Sequence, residues 1–101
     1  MGEKKLQHKL NLKTGFFKTE AYMFLLVGDL IKLIPASNNN KDIIMIKSAD
    51  IKSVSVSRGV PVEIEFRTEK NKYLGTFPRT EDISDIIILY KEFLGEKFYC
   101  Y

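Results

Sequence analysis

Apolar and polar residues alternate with a period of two along most of this chain and switch to a helical period only near its end. Leu6, His8, Leu10 and Leu12 alternate with Gln7, Lys9, Asn11 and Lys13, the pattern of a strand with one buried face. Thr14-Gly15 bends or ends that strand, and Phe16-Phe17-Lys18 either continues it or opens the turn. Residues 21–27 are apolar on both faces, which predicts a central strand. Gly28-Asp29 is a tight turn between two apolar runs, so residues 30–34 pair back as a hairpin until Pro35 stops them. Residues 36–41, with three successive Asn, form the clearest loop.

The Ile-rich residues 42–47 read as a short strand, and Ser48-Ala49-Asp50 as a turn. Ile51, Val54 and Val56 break strict alternation, which predicts a bulge near Lys52-Ser53. Arg58-Gly59 turns the chain again. Val60, Val62, Ile64 and Phe66 then alternate with Pro61, Glu63, Glu65 and Arg67. Residues 69–72 form a polar hairpin loop, and residues 73–77 the last strand of this series.

The period changes over residues 81–94. Ile83, Ile86, Ile87, Tyr90, Phe93 and Leu94 fall on one stripe of a helix, with Asp82, Ser84, Asp85, Lys91 and Glu92 opposite. Thr80 is the expected N-cap, and Glu81, Asp82 and Asp85 put negative charge near the positive end of the helix dipole. Gly95 suits the position just past the helix. A helix this short is marginal in water and forms only when docked.

Short connections force consecutive strands to pair antiparallel. The expected fold is therefore mainly β with one C-terminal α-helix: a seven-stranded bent antiparallel sheet, or partly open barrel, capped by the helix at 81–94. The 101 residues make one domain with a core of about residues 4–95. The tail, 96–101, holds Phe98, Tyr99 and Tyr101, too aromatic for a free end, so it folds back or meets a partner.

Composition narrows the function classes. The longest apolar run, residues 22–27, falls far short of the roughly 18 residues of a membrane span. The first ten residues lack the apolar segment of a secretory signal, and Leu6 replaces the Ser or Thr of a myristoylation site. A single Cys100 excludes an internal disulfide and fits a reducing compartment. The expected location is the cytoplasm, with room for a peripheral place at the membrane. The net charge of +3 is uneven: residues 1–41 hold seven Lys against three acidic residues, whereas residues 42–101 hold nine Lys and Arg against ten. A basic first half suits either an anionic surface or plain solvation.

No constellation points to catalysis. His8 and Cys100 are the lone members of their kinds and lie at opposite ends of the chain, too few for a metal site or a cysteine–base pair. No cofactor is expected. Glu63 and Glu65 share a strand face, but the clean alternation around them marks a solvent face, and Arg67 extends the row. Lys13, Lys18, Lys41, Lys70 and Lys72 fall on strand ends and loops that converge at the open end of such a barrel, candidate contacts for an anionic ligand or lipid headgroup. Three lysines at an anionic leaflet contribute about 3 kcal/mol, too little for stable recruitment alone. Nucleic acid is disfavoured by the small charge, the acidic strand at 63–65 and the lack of a recognition motif.

Seven strands and one amphipathic helix are the layout of the pleckstrin-homology-like superfold, and the chain resembles its bacterial PH-like and GRAM-type branch. The opening Gly2-Glu3-Lys4-Lys5-Leu6, the hairpin over residues 22–31 and the segment 46–54, which reads I-x-x-x-D-I-x-S-V, are similar to that family, as is the passage from Phe77-Pro78 into the helix. The chain has no Trp, and Ile86 or Ile87 stands where many PH domains carry one. Lys13 and Lys18 match part of the family's phosphoinositide pattern, but Tyr22, Met23 and Phe24 supply no charge on the second strand. The resemblance implies a non-enzymatic module that binds a protein partner or its own copies as a homo-oligomer, with anionic lipid as the alternative ligand.

Overall fold

The computed structural model describes residues 5–15, 18–36, 43–79 and 82–101. Within them the chain runs β1 (Lys5–Lys13), β2 (Thr19–Val27), β3 (Leu30–Pro35), β4 (Ile44–Lys47), β5 (Ile51–Ser57), β6 (Glu63–Thr68), β7 (Lys72–Thr76), α1 (Ile83–Leu94) and β8 (Phe98–Cys100). Short three-residue helical turns at Ser48–Asp50 and Gly95–Lys97 join β4 to β5 and α1 to β8. The strands form one sheet in the order β4-β3-β2-β1-β7-β6-β5-β8. The protein is thus mainly β, with one C-terminal helix and a single bent sheet.

The alternation of the first strand becomes a register. Leu6, His8, Leu10 and Leu12 point inward, and the residues between them point out. β1 pairs β2 from Lys5↔Val27 to Lys13↔Thr19, and the Gly28-Asp29 turn, with Gly28 at φ 62°, sets Val27 opposite Leu30. The predicted bulge is present as a register shift between Ile51 and Ser53 against β6. β6 begins at Glu63, later than the alternation from Val60 implied. Pro61 has no N–H for a ladder, and Val60 is left 86% exposed.

The two halves of the sheet meet between β1 and β7 through Asn11↔Thr76 and Leu12↔Gly75. A Cβ on Gly75 would lie 2.9 Å from the Asn11 carbonyl oxygen and 3.1 Å from the Leu10 side chain. Backbone approaches too closely here for any side chain, so the sheet bends at a glycine. Gly75→Ala is expected to cost about 1–3 kcal/mol by overpacking the joint. A lowered urea midpoint at unchanged slope checks this; a midpoint equal to that of the parent would show that the joint is loose.

The helix begins at Ile83, the first residue of the stripe. Asp82 is its N-cap, its Oδ1 accepting from the Ser84 N–H at 3.0 Å. The expected cap, Thr80, and the acidic Glu81 lie outside the described residues. Gly95 ends the helix at φ 57°, where its N–H donates to the Lys91 carbonyl. Of the expected stripe, Ile86, Ile87, Tyr90 and Leu94 are buried, and Ile83 and Phe93 are half-buried against the same core.

The tail corrects two expectations. There are eight strands among the described residues rather than seven, and the eighth pairs parallel to β5, through Val54↔Phe98, Ser55↔Tyr99 and Val56↔Cys100. The ladder continues beyond β8: the Tyr101 N–H donates to the Val56 carbonyl at 2.8 Å, and the Arg58 N–H to the Tyr101 carbonyl at 3.1 Å. The folded unit therefore runs past residue 95. β5 and β7 both run antiparallel to β6, and α1 is the crossover that brings the chain from β7 back along the same direction as β8. β8 covers the otherwise open edge of β5.

Candidate functional site

Inside the sheet an aromatic run ties the helix to both halves. The His8 ring stacks on Phe24 at 4.7 Å, and Phe24 on Phe66 at 5.4 Å. Tyr90 lies 5.4 Å from Phe24 and stacks on Phe98 at 5.3 Å. His8 is 3% exposed, and its Nδ1 lies 3.0 Å from the Lys9 carbonyl oxygen. A carbonyl only accepts, so Nδ1 carries the proton. Nε2 lies 2.8 Å from the Tyr90 hydroxyl, and in the neutral ring it accepts a hydrogen bond from that hydroxyl. Burial holds the Tyr90 phenol well above its ordinary pKa. The pair is satisfied and walled by rings, which makes it a structural clasp between β1 and α1. Among the described residues no three of His, Cys, Asp or Glu gather as a metal site would require.

The candidate lysines separate into two places. Lys13 and Lys72 line a shallow depression of about 400 Å³ with Gly15 and Leu74. Lys18 stands beside it across the hairpin, where its carbonyl accepts from the Thr14 N–H. Lys72 also pairs with Glu65 at 3.6 Å, which offsets its charge. Lys70 lines a different cleft, of about 500 Å³, between the Ser48–Asp50 turn and the β6–β7 hairpin. There Lys52 and Lys70 stand among Asp50 and Glu69, and Lys52 pairs with Glu69 at 3.4 Å. Mixed charge of this kind favours neither anions nor cations. Lys41 lies outside the described residues, as do Phe16 and Phe17. Glu63 and Glu65 do face outward as a row, with Arg67 Nε 3.9 Å from Glu65.

A larger feature was not singled out in the sequence. The outward positions of β1 to β4 form rows across the strands. One row reads Lys5, Val27, Leu30, Lys47; the next reads Gln7, Leu25, Lys32, Met45; a third reads Lys9, Met23, Ile34. Met23, Leu25, Val27, Leu30 and Ile34 are half-buried and Met45 is 60% exposed. The result is an apolar band bordered by lysines, and none of the outward positions of β1–β4 carries a carboxylate. The outward positions of β5 and β6 are instead Ser53, Ser55, Ser57, Glu63, Glu65 and Arg67. The two-residue turn at Gly28-Asp29 held the signal: it fixes the register that sets Leu25 beside Lys32.

Neither a family model nor a curated protein matches this chain. No helix among the described residues is long and apolar enough to cross a membrane.

Proposed function

We propose that the chain is a non-enzymatic PH-like binding module that works by contact with a protein surface, either its own or a partner's. The observation that carries this reading is the uncovered apolar band on the outer face of β1–β4. The inner face already holds the core and the helix, so the band adds little to folding. Apolar side chains grouped on one outer face, where β5 and β6 present serines and charges, mark an interaction surface. The first seven strands, wound in sequence into one bent sheet and followed by a helix, support the PH-like assignment.

Leu25→Glu tests the reading. Leu25 lies outward between Gln7 and Lys32, so a glutamate there pairs with Lys32 and spares the core. The variant is expected to keep its thermal midpoint within a few degrees and to lose association, with itself or with any protein the parent binds. Light scattering and binding titration read this. Association unchanged in folded Leu25→Glu sinks the band as the working surface. A second reading, an anionic lipid surface, is favoured by the Lys13 and Lys72 depression beside exposed Leu74. Flotation with anionic vesicles at two salt concentrations separates the two, because headgroup binding weakens with salt.

A further inference from the structure

We infer that the open edge of β4 takes an extended peptide segment of a partner protein as an added strand. This rests on the binding-module reading above and names a partner at the sheet's edge rather than on its face. β4 ends the sheet order, so among the described residues no strand lies beyond it. One contact fixes which way its backbone groups point. The Ser48 N–H donates to the Asp29 carbonyl at 2.7 Å. Bonded pairs alternate along an antiparallel ladder, so Ile46 and Ile44, opposite Ile31 and Leu33, direct their N–H and C=O groups to β3. Met45 and Lys47 turn theirs the other way, to the open side. N–H and C=O groups on alternate residues of an open edge are the complement of an extended backbone. Native sheets blunt such an edge with charge or cover. Here Lys47 is the one charge of β4, and Ile43 and Met45 are 45% and 60% exposed.

The space beside this edge fits one strand. The cleft of about 500 Å³ is lined by Met45 and Ile46 but by no residue of β3, so it lies on the open side of β4. Its far wall is the β6–β7 hairpin at residues 68–71, with Tyr73. A lone strand enters between these walls. The edge of a second copy, with its own sheet behind it, meets the hairpin first. The side chains of the peptide follow from the register. The one beside buried Ile46 points inward, toward half-buried Tyr73, and is apolar. Its two neighbours point outward, beside Met45 and Lys47. The first of these is apolar and lengthens the row Gln7, Leu25, Lys32, Met45. The second is a carboxylate, because the row Lys5, Val27, Leu30, Lys47 holds two cations and no acid. A lipid tail fits less well, since it would leave the donors and acceptors of the edge unmet.

Panning a random octapeptide display library against the parent, then titrating a synthetic peptide of the recovered sequence, tests the site. The recovered peptides are expected to share a run of two apolar residues and one acidic residue, set beside Met45, Ile46 and Lys47. On binding, amide exchange at Met45 and Lys47 is expected to slow about tenfold or more, while Ile44 and Ile46, already paired to β3, stay as they were. Met45→Pro removes an edge N–H and leaves the β3 ladder whole, so it is expected to weaken binding about tenfold or more. If Met45→Pro fails to fold, N-methylation of the peptide gives the same readout: alternate positions lose binding and the positions between them keep it. A library that yields no binder overturns the inference, while Leu25→Glu still reads the band. A bound peptide that leaves the Met45 and Lys47 amides exchanging as before overturns it too. Binding lost in Leu25→Glu and kept in Met45→Pro would put the peptide on the band, which overturns the edge and leaves the protein-contact reading standing. A parent dimer that Met45→Pro dissociates would put a second copy on the edge and overturn the peptide as its occupant.

Discussion

Ile87→Asp is expected to leave the chain without a cooperative folded state, while Ile88→Asp, one position along the same helix, leaves it folded. Ile87 is 4% exposed and sits in the core cluster with Ile86, Tyr90 and Leu94. An aspartate there loses the apolar burial of the isoleucine, about 1.5–3 kcal/mol. It also takes a carboxylate out of water with no cation to meet it, an effective penalty of several kcal/mol. Together these approach the whole stability of a small domain, about 5–15 kcal/mol. Ile88 is turned to solvent, so the same substitution changes stability by about 0.5 kcal/mol, the scale of a surface replacement. Near-ultraviolet circular dichroism and urea melts read the difference. A cooperative Ile87→Asp protein with a parental midpoint would show that α1 does not dock on the face carrying Ile86, Ile87 and Tyr90.

That helix face was legible before any coordinates, because a 3.6-residue period leaves few choices of which side is buried. The strands were legible for a similar reason: alternation at residues 6–12 and 62–66 assigns inward and outward side chains without knowing what they touch. Residues 21–27 show where such reading stops. Apolar side chains on both faces rightly implied a central strand, since β2 lies between β1 and β3. Yet Met23, Leu25 and Val27, on the outer face, have no cover beyond their neighbours in the sheet. Sequence pattern reports hydrophobicity, not what covers it, so a doubly buried strand and a strand with a docking face look alike. The direction of the tail was hidden for another reason. Phe98 was recognisably too apolar to be free, but its parallel place beside Val54 depends on where a twelve-residue helix sets the chain down. The lysines could not be grouped from the sequence: Lys13 and Lys72 line one depression and Lys70 another.

The His8–Tyr90 clasp was invisible because its partners are 82 residues apart, and it leads to the second large effect. Tyr90→Ala is expected to destabilise the protein by about 3–5 kcal/mol from the cavity alone. Losing the donor to His8 Nε2 adds about 1–3 kcal/mol, since that nitrogen stays buried. The milder Tyr90→Phe keeps the ring stacks on Phe24 and Phe98 and removes only the hydroxyl. The pair of variants separates packing from hydrogen bonding, and pH separates them again. In the unfolded chain the phenol ionises near its ordinary pKa of about 10. In the folded chain burial holds the proton to higher pH. Between those two values the folded state binds more protons than the unfolded state, so stability falls as pH rises. The contribution is intact below about pH 10 and is lost at about 1.4 kcal/mol per pH unit above it. Every other ionisable group is the same in parent and variant. Subtracting the Tyr90→Phe urea series from that of the parent therefore isolates Tyr90. The difference is expected to favour the parent at neutral pH and to shrink above about pH 10. A constant difference across that range would mean that the phenol ionises alike in both states, and that solvent reaches the clasp.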